Sequence, residues 1–185
     1  MGAVFFKQVA FEGEADFISV RIGSNAQFTG AKFEKRANFN SAHIERESHF
    51  ERTIFTNDIS FQNAFLKTIY FGESEFQFHT KIDLIGCIYD RIDPAPFWKQ
   101  LMEHFSPYDW QPFTQLEETF RRAGNDKFAN DVYYKRKRRE SAQKTIENPG
   151  TWLIDRVLWL STGYGVRLYR TPPQLELFQT SETLM

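Results

Sequence analysis

The chain has 185 residues and a formal net charge of −1, so its total charge implies neither a polyanionic nor a polycationic partner. One cysteine, Cys87, excludes an internal disulfide and suits a reducing compartment. Twenty phenylalanines are many for this length, and their spacing explains most of them.

From the first residues a large apolar side chain returns every five or six positions: Phe6, Phe11, Phe17, Ile22, Phe28, Phe33, Phe39, Ile44, Phe50, Phe55, Phe61, Leu66, Phe71 and Phe76. Through Leu66 the steps alternate, so the underlying period is eleven residues. Two positions before each stands a small or β-branched residue, as at Val4, Ala15, Ala26, Ala37, Ser48 and Ile59. A helix turns by about 140° over five residues, so one helical face cannot collect these side chains. A flat strand fails as well, because an odd step sends the side chain to the other face. The pattern works only if the chain turns a corner between one pair and the next. Residues i−2 and i then share the inward side of a short strand, and the chain winds into a solenoid with stacked Phe rings.

Ala26-Gln27-Phe28-Thr29-Gly30, Ala31-Lys32-Phe33, Ala37-Asn38-Phe39-Asn40-Ser41 and Ala42-His43-Ile44 resemble pentapeptide repeats in their Phe-centred form. The resemblance implies a right-handed, four-sided parallel β-helix of about four coils over residues 1–91, one repeat per side. The six-residue steps depart from the strict pattern and suggest bulged corners on alternate sides. A smaller helix with eleven residues per coil is the alternative. The N-terminus has no signal-peptide pattern, since Val4-Phe5-Phe6 is interrupted by Lys7. The chain starts inside the repeat without a capping element, so the expectation is a longer column or a partner over the first coil.

Outward positions, one before each large residue, are mostly polar: Asp16, Arg21, Gln27, Lys32, Asn38, His43, His49, Ser60 and Glu75. Phe5, Ile54, Phe65 and Tyr70 break the rule. Phe65, Tyr70 and Ile54 are therefore the candidate docking residues, either for the following domain or for a partner protein. His43 and His49 lack a paired carboxylate spacing, and no metal or other cofactor is expected.

After Phe76 the pattern loosens, with Ile82, Leu84, Ile85 and Tyr89 supplying a last turn that ends near Arg91. Asp93-Pro94 reads as a helix start, followed by the stripe Phe97 or Trp98, Leu101, Met102 and Phe105, a helix suited to closing the column end. A second helix starts near Pro112 with Phe113, Leu116 and Phe120. A third starts at Asn125 or Asp126 and ends in Lys135-Arg136-Lys137-Arg138-Arg139. The pair resembles a single tetratricopeptide-type hairpin, departing from it at Glu117. The domain boundaries expected are 1–91 for the column, 92–148 for the helical cap and hairpin, and 149–185 for an amphipathic helix and tail. That last helix carries Trp152 and Trp159 and has about eleven apolar-rich residues, too few to cross a bilayer. With the basic run it makes a candidate contact for an anionic membrane surface.

Tyr89-Asp90-Arg91-Ile92, Gln111-Pro112-Phe113, Phe120-Arg121-Arg122-Ala123-Gly124 and Gly163-Tyr164-Gly165-Val166-Arg167 resemble microbial pentapeptide-repeat proteins linked to a membrane or ion-channel module. The resemblance stops at Arg170, beyond which no apolar span follows. It implies a cytoplasmic chain, either a part of a membrane protein at the membrane periphery or a soluble relative that lost the channel.

No nucleophile triad, CxxC, phosphate loop or His pair at metal spacing is present, so no enzyme activity is expected. The expected function is a non-enzymatic interaction scaffold that binds a protein partner or itself. A membrane-associated regulatory module of a channel-like protein is the alternative. A DNA mimic that binds topoisomerases ranks last, because residues 1–90 carry twelve Asp and Glu against nine Lys and Arg, too even a balance. Nucleic acid is not an expected partner, since no aromatic or base-reading pattern accompanies the basic run.

Overall fold

The computed structural model describes residues 2–93 and 97–147. Residues 1–136 form one compact unit, and a second unit begins at Lys137.

The first unit opens with a parallel β-solenoid whose register advances by 22 residues per coil at its start, Val4 pairing with Ala26 and Ala26 with Ser48, and departs by one residue later, as in Phe55 with Phe76 and Ile59 with Ile82. Twenty-two residues are two eleven-residue periods, so each coil has four sides and the eleven-residue coil is excluded. One side stacks β1 (Val4–Phe5), β5 (Ala26–Gln27), the end of β8 (His43–His49), the end of β11 (Phe65–Tyr70) and β14 (Arg91–Asp93). The next stacks β2 (Ala10–Phe11), β6 (Lys32–Phe33), β9 (Ile54–Phe55) and β12 (Glu75–Phe76). The third stacks β3 (Ala15–Asp16), β7 (Ala37–Asn38), β10 (Ile59–Ser60) and β13 (Ile82–Asp83). The fourth stacks β4 (Arg21–Ile22) on the starts of β8 and β11.

Each side sends one ladder of side chains to the axis. Three ladders are phenylalanine. In the first, ring centroids are 5.2 Å apart for Phe6–Phe28, 5.1 Å for Phe28–Phe50 and 5.4 Å for Phe50–Phe71. Phe11, Phe33, Phe55 and Phe76 form the second, and Phe17, Phe39 and Phe61 the third. Rings within a ladder lie near parallel, whereas rings from neighbouring ladders meet mostly edge-on or tilted, both favoured arrangements. The fourth ladder is Ile22, Ile44, Leu66 and Tyr89, all buried. This ladder is aliphatic up to Leu66 and ends in the Tyr89 ring. Ala26, Ala31, Ala37, Ala42 and Ala64 fill the gaps at 0–1 % exposure. At two positions a hydroxyl of the small residue bonds backbone of the preceding coil: Thr53 Oγ1 donates to the Phe28 carbonyl at 2.8 Å, and Ser74 donates to that of Phe50, whereas the buried Ser48 hydroxyl makes no such bond.

Corners come in two kinds. The five-residue steps pass through a hydrogen-bonded turn, such as Ala31 N–H to the Phe28 carbonyl at 2.8 Å. The turn places one residue at positive φ: Gln8, Ser19, Gly30, Ser41, Arg52, Asn63, Glu73 and Gly86. Most six-residue steps pass through open bends, but the step from Ile44 to Phe50 runs within β8, where an extra residue opposite β11 makes an irregularity of the bulged kind expected. The one register shift in the β8–β11 pair falls between Leu66 and Thr68, where a six-residue step is shortened to five. The alternation broken after Leu66 is therefore a one-residue loss at a corner.

The last turn uses Cys87 and Ile92 as inward residues, while Ile85 lies at a corner and is half-exposed. Asp93 belongs to β14 and caps no helix. Helix α1 (Trp98–Leu101) starts later, after Phe97, and tightens into a 3₁₀ turn over Met102–His104. Phe105 then returns to the sheet beside Ile82, and Ser106 N–H donates to the Ile82 carbonyl at 3.1 Å. Helix α2 (Trp110–Arg122) is capped by Asp109, whose Oδ1 accepts from Gln111 N–H at 2.7 Å. Gly124, at φ 72°, ends it. Helix α3 (Asp126–Glu147) does not stop at the basic run; no Gly or Pro interrupts residues 140–147, so the run lies mid-helix and gains nothing from a C-terminal dipole.

These elements close the C-terminal end of the column. Phe97 and His104 rest on the Phe76 ring. Gly86 N–H donates to Gln111 Oε1 at 3.0 Å, and Gln115 Nε2 to the Tyr89 carbonyl at 2.9 Å. Trp98, Phe120 and Phe128 pack together below, with centroids 5.6–5.9 Å apart.

Candidate functional site

The docking residues picked from sequence lie on three sides of the column. Phe65 and Tyr70 sit at the two ends of β11, on adjacent sides, and both are half-buried. Each lies on a histidine one coil earlier: Phe65 on His43 and Tyr70 on His49, both with centroids 4.7 Å apart. Ile54 is half-buried between Lys32 and Glu75 in its ladder.

His49 contradicts the expectation of a histidine without carboxylates. Its Nε2 lies 3.1 Å from Glu47 Oε2 and its Nδ1 2.9 Å from Glu51 Oε1. On a strand, residues two apart share a face, and that spacing was the missed signal. Asn25 Nδ2 donates to Glu47 at 2.9 Å, tying the group to the coil before. Partial burial and the Glu47 carboxylate raise the Tyr70 phenol above its ordinary value. Ser60, expected outside in solvent, is covered, and its hydroxyl donates to Asn40 Oδ1 at 2.5 Å. Among the described residues no group of three or more metal-ligating side chains is assembled.

The basic run is distributed among acidic partners. Lys135 donates to Glu103, Arg136 to Thr114 Oγ1 at 2.8 Å and to Glu117 at 3.4 Å, and Lys137 to Glu140 at 2.9 Å. Arg138 is exposed and Arg139 half-buried. Trp152, Trp159 and the Gly163–Arg167 segment lie outside the described residues. No helix of the described residues is long and apolar enough to cross a membrane.

Cys87 is buried in the last coil, and burial, with a smaller effect from Asp83, pushes its thiol far above the ordinary value. Such a thiol is a packing group, not a nucleophile. Tyr89 beside it is also raised by burial.

The C-terminal end of the column is closed by α1, the 3₁₀ turn and α2. The first coil pairs with the second through four short strands, β1 to β4. Inside it the Phe6, Phe11 and Phe17 rings contact one another at 5.6–5.9 Å and remain partly exposed. On its outside stand Phe5 at 65 % exposure, Val9 at 38 % and Ile18 at 50 %, half of the exposed large apolar side chains among the described residues. The others, Phe78, Ile88 and Trp110, are not on the first coil.

Comparison with protein families matches residues 1–43 to the pentapeptide repeats, described as nine copies. No curated protein and no solved structure matches the chain.

Proposed function

We propose that the Phe-rich pentapeptide-repeat column of this chain is a non-enzymatic interaction scaffold that binds a protein partner or a second copy of itself. The observation that carries this reading is the division between inside and outside: stacked side-chain ladders fill the interior, and the apolar side chains Phe5, Val9 and Ile18 stay exposed on the first coil. The filled interior leaves the chemistry of the column to its surface.

A photo-reactive residue placed at Ile18, exposed on the first coil, tests the reading in cells that make the protein. One discrete cross-linked species, whether with another protein or with a second copy, is expected. No adduct, while the protein is folded and expressed, removes this surface as a binding surface.

A further inference from the structure

We infer that the fourth side of the column is a lateral docking face for a second copy of this chain, the two columns lying side by side and antiparallel. This goes beyond the scaffold reading and uses none of Phe5, Val9 or Ile18. The outward ladder of that side is Arg21, His43, Phe65 and Ile88, in register from coil to coil. Two residues further along each strand stand Gly23, Glu45, Lys67 and Asp90. Two observations single this side out. The other three sides engage outward polar groups within the chain. On the first, Glu47 and Glu51 hold His49, and Arg91 lies 3.4 Å from Asp93. On the second, Lys32 holds Glu34 at 2.6 Å. On the third, Asp16, Asn38 and Asp83 each accept from the backbone N–H two residues on. On the fourth, Arg21, Glu45 and Lys67 are exposed and make no ion pair among the described residues, and Asp90 reaches Arg122 only at 4.0 Å. The second observation is apolar. Helix α2 is bonded under the last coil at Gly86 and Tyr89, yet Ile88 remains 54 % exposed, with the half-buried Phe65 beside it on the ladder.

Self-complementarity names the occupant. A two-fold axis parallel to the strands, between the second and third coils, sets first coil against fourth and second against third, position for position. Glu45 then faces Lys67 and His43 faces Phe65, each twice by symmetry. Arg21 faces Ile88, covers it with its apolar stem, and brings its guanidinium beside Asp90 on the same strand. Every exposed charge of the face thus meets the opposite sign. A two-fold axis along the column would instead set Phe65 against Lys67 and Ile88 against Asp90, placing apolar side chains on charges, so the antiparallel axis is selected. Four coils at about 4.8 Å each make a face about 20 Å tall. That is small for a protein interface, so the pair is weak and reversible. The two-fold contact occupies the face on both copies, and association through it stops at two.

Sedimentation of the full chain from about 5 μM to about 500 μM tests the inference. A monomer–dimer equilibrium is expected, weakening as salt is raised. Lys67→Glu, at an exposed position, is expected to weaken the dimer about tenfold, since both symmetry-related contacts reverse sign. The charge swap Glu45→Lys with Lys67→Glu is expected to restore it. Geometry is tested with a short bifunctional maleimide on Arg21→Cys and Ile88→Cys chains. A mixture of the two is expected to cross-link and neither variant alone, because like positions in the antiparallel pair lie three coils, about 14 Å, apart along the column. A chain that stays monomeric throughout overturns the inference, as does a dimer that ignores Lys67→Glu, or one in which either cysteine variant cross-links by itself. The Ile18 photo-cross-link is read separately. A monomeric chain whose Ile18 captures another protein keeps the scaffold reading and loses the lateral dimer.

Discussion

Tyr70 lies flat on His49, with ring centroids 4.7 Å and planes 2° apart, on the outer face of the column. The pair repeats outside what the Phe ladders do inside: the coil register sets one planar side chain above another. With Phe65 on His43 it forms a second, external layer of stacking. The variant Phe65→Ser with Tyr70→Ser should therefore lower stability by about 1–3 kcal/mol, at 0.5–1.5 kcal/mol for each stack. Weakened self-association with unaltered stability would return these residues to the role of a partner surface alone.

Interior layers should be costlier to damage than the end layer. Phe39→Ala opens a cavity between Phe17 and Phe61 and should cost about 3–5 kcal/mol in denaturant unfolding. Phe6→Ala, at a partly exposed ring, should cost clearly less. Equal losses at both positions would mean that the end layer is as fully covered as the interior.

The turns predict two substitutions of opposite sign. Arg52 is exposed and held at φ 56°, a conformation that costs an L-residue about 1–2 kcal/mol. Arg52→Gly should raise the midpoint of thermal unfolding. Gly86 is at φ 70°, and a Cβ there would fall 2.2 Å from Asn63 Oδ1. Gly86→Ala should lower the midpoint.

Alkaline pH should weaken the last coil. The Cys87 thiol and Tyr89 phenol are both raised in the folded state, above ordinary values of 9.0 and 10.0. Only the unfolded chain ionises them readily, so it binds fewer protons than the folded chain above pH 9.0. Stability is then fully present below that pH and declines as pH rises toward the folded-state values. Urea unfolding across this range should show the decline, and Cys87→Ala should remove part of it. A thiol reagent should label Cys87 only as fast as the column opens.

The basic run should not bind anionic vesicles at physiological salt, given the engagement of Lys135, Arg136 and Lys137 with Glu103, Glu117 and Glu140. Flotation of the full chain with anionic but not neutral vesicles, weakened by salt, would assign the run to a membrane surface instead.

The column was readable because each ladder residue recurs where only a cornered chain can bury it. Its four sides were also written in the sequence, in Ile22, Ile44 and Leu66, where every fourth large residue is aliphatic. The corners were harder to see. Gln8, Ser41, Arg52 and Glu73 adopt positive φ without being Gly or Asn, since the coils above and below fix the turn and override local preference. The helix start was misplaced for a similar reason. Asp93 has the chemistry of a cap, but its backbone is drawn into pairing with Tyr70. His49 was underestimated because its carboxylates lie two residues away, a spacing that matters on a strand and not on a helix.

The closed end also gives the chain a direction in time. Each new coil finds its template in the one just made, and the helical lid emerges only after residue 97, when the last coil is complete. Until then the growing column exposes a fresh strand edge at its young end, and only the lid withdraws that edge from mispairing.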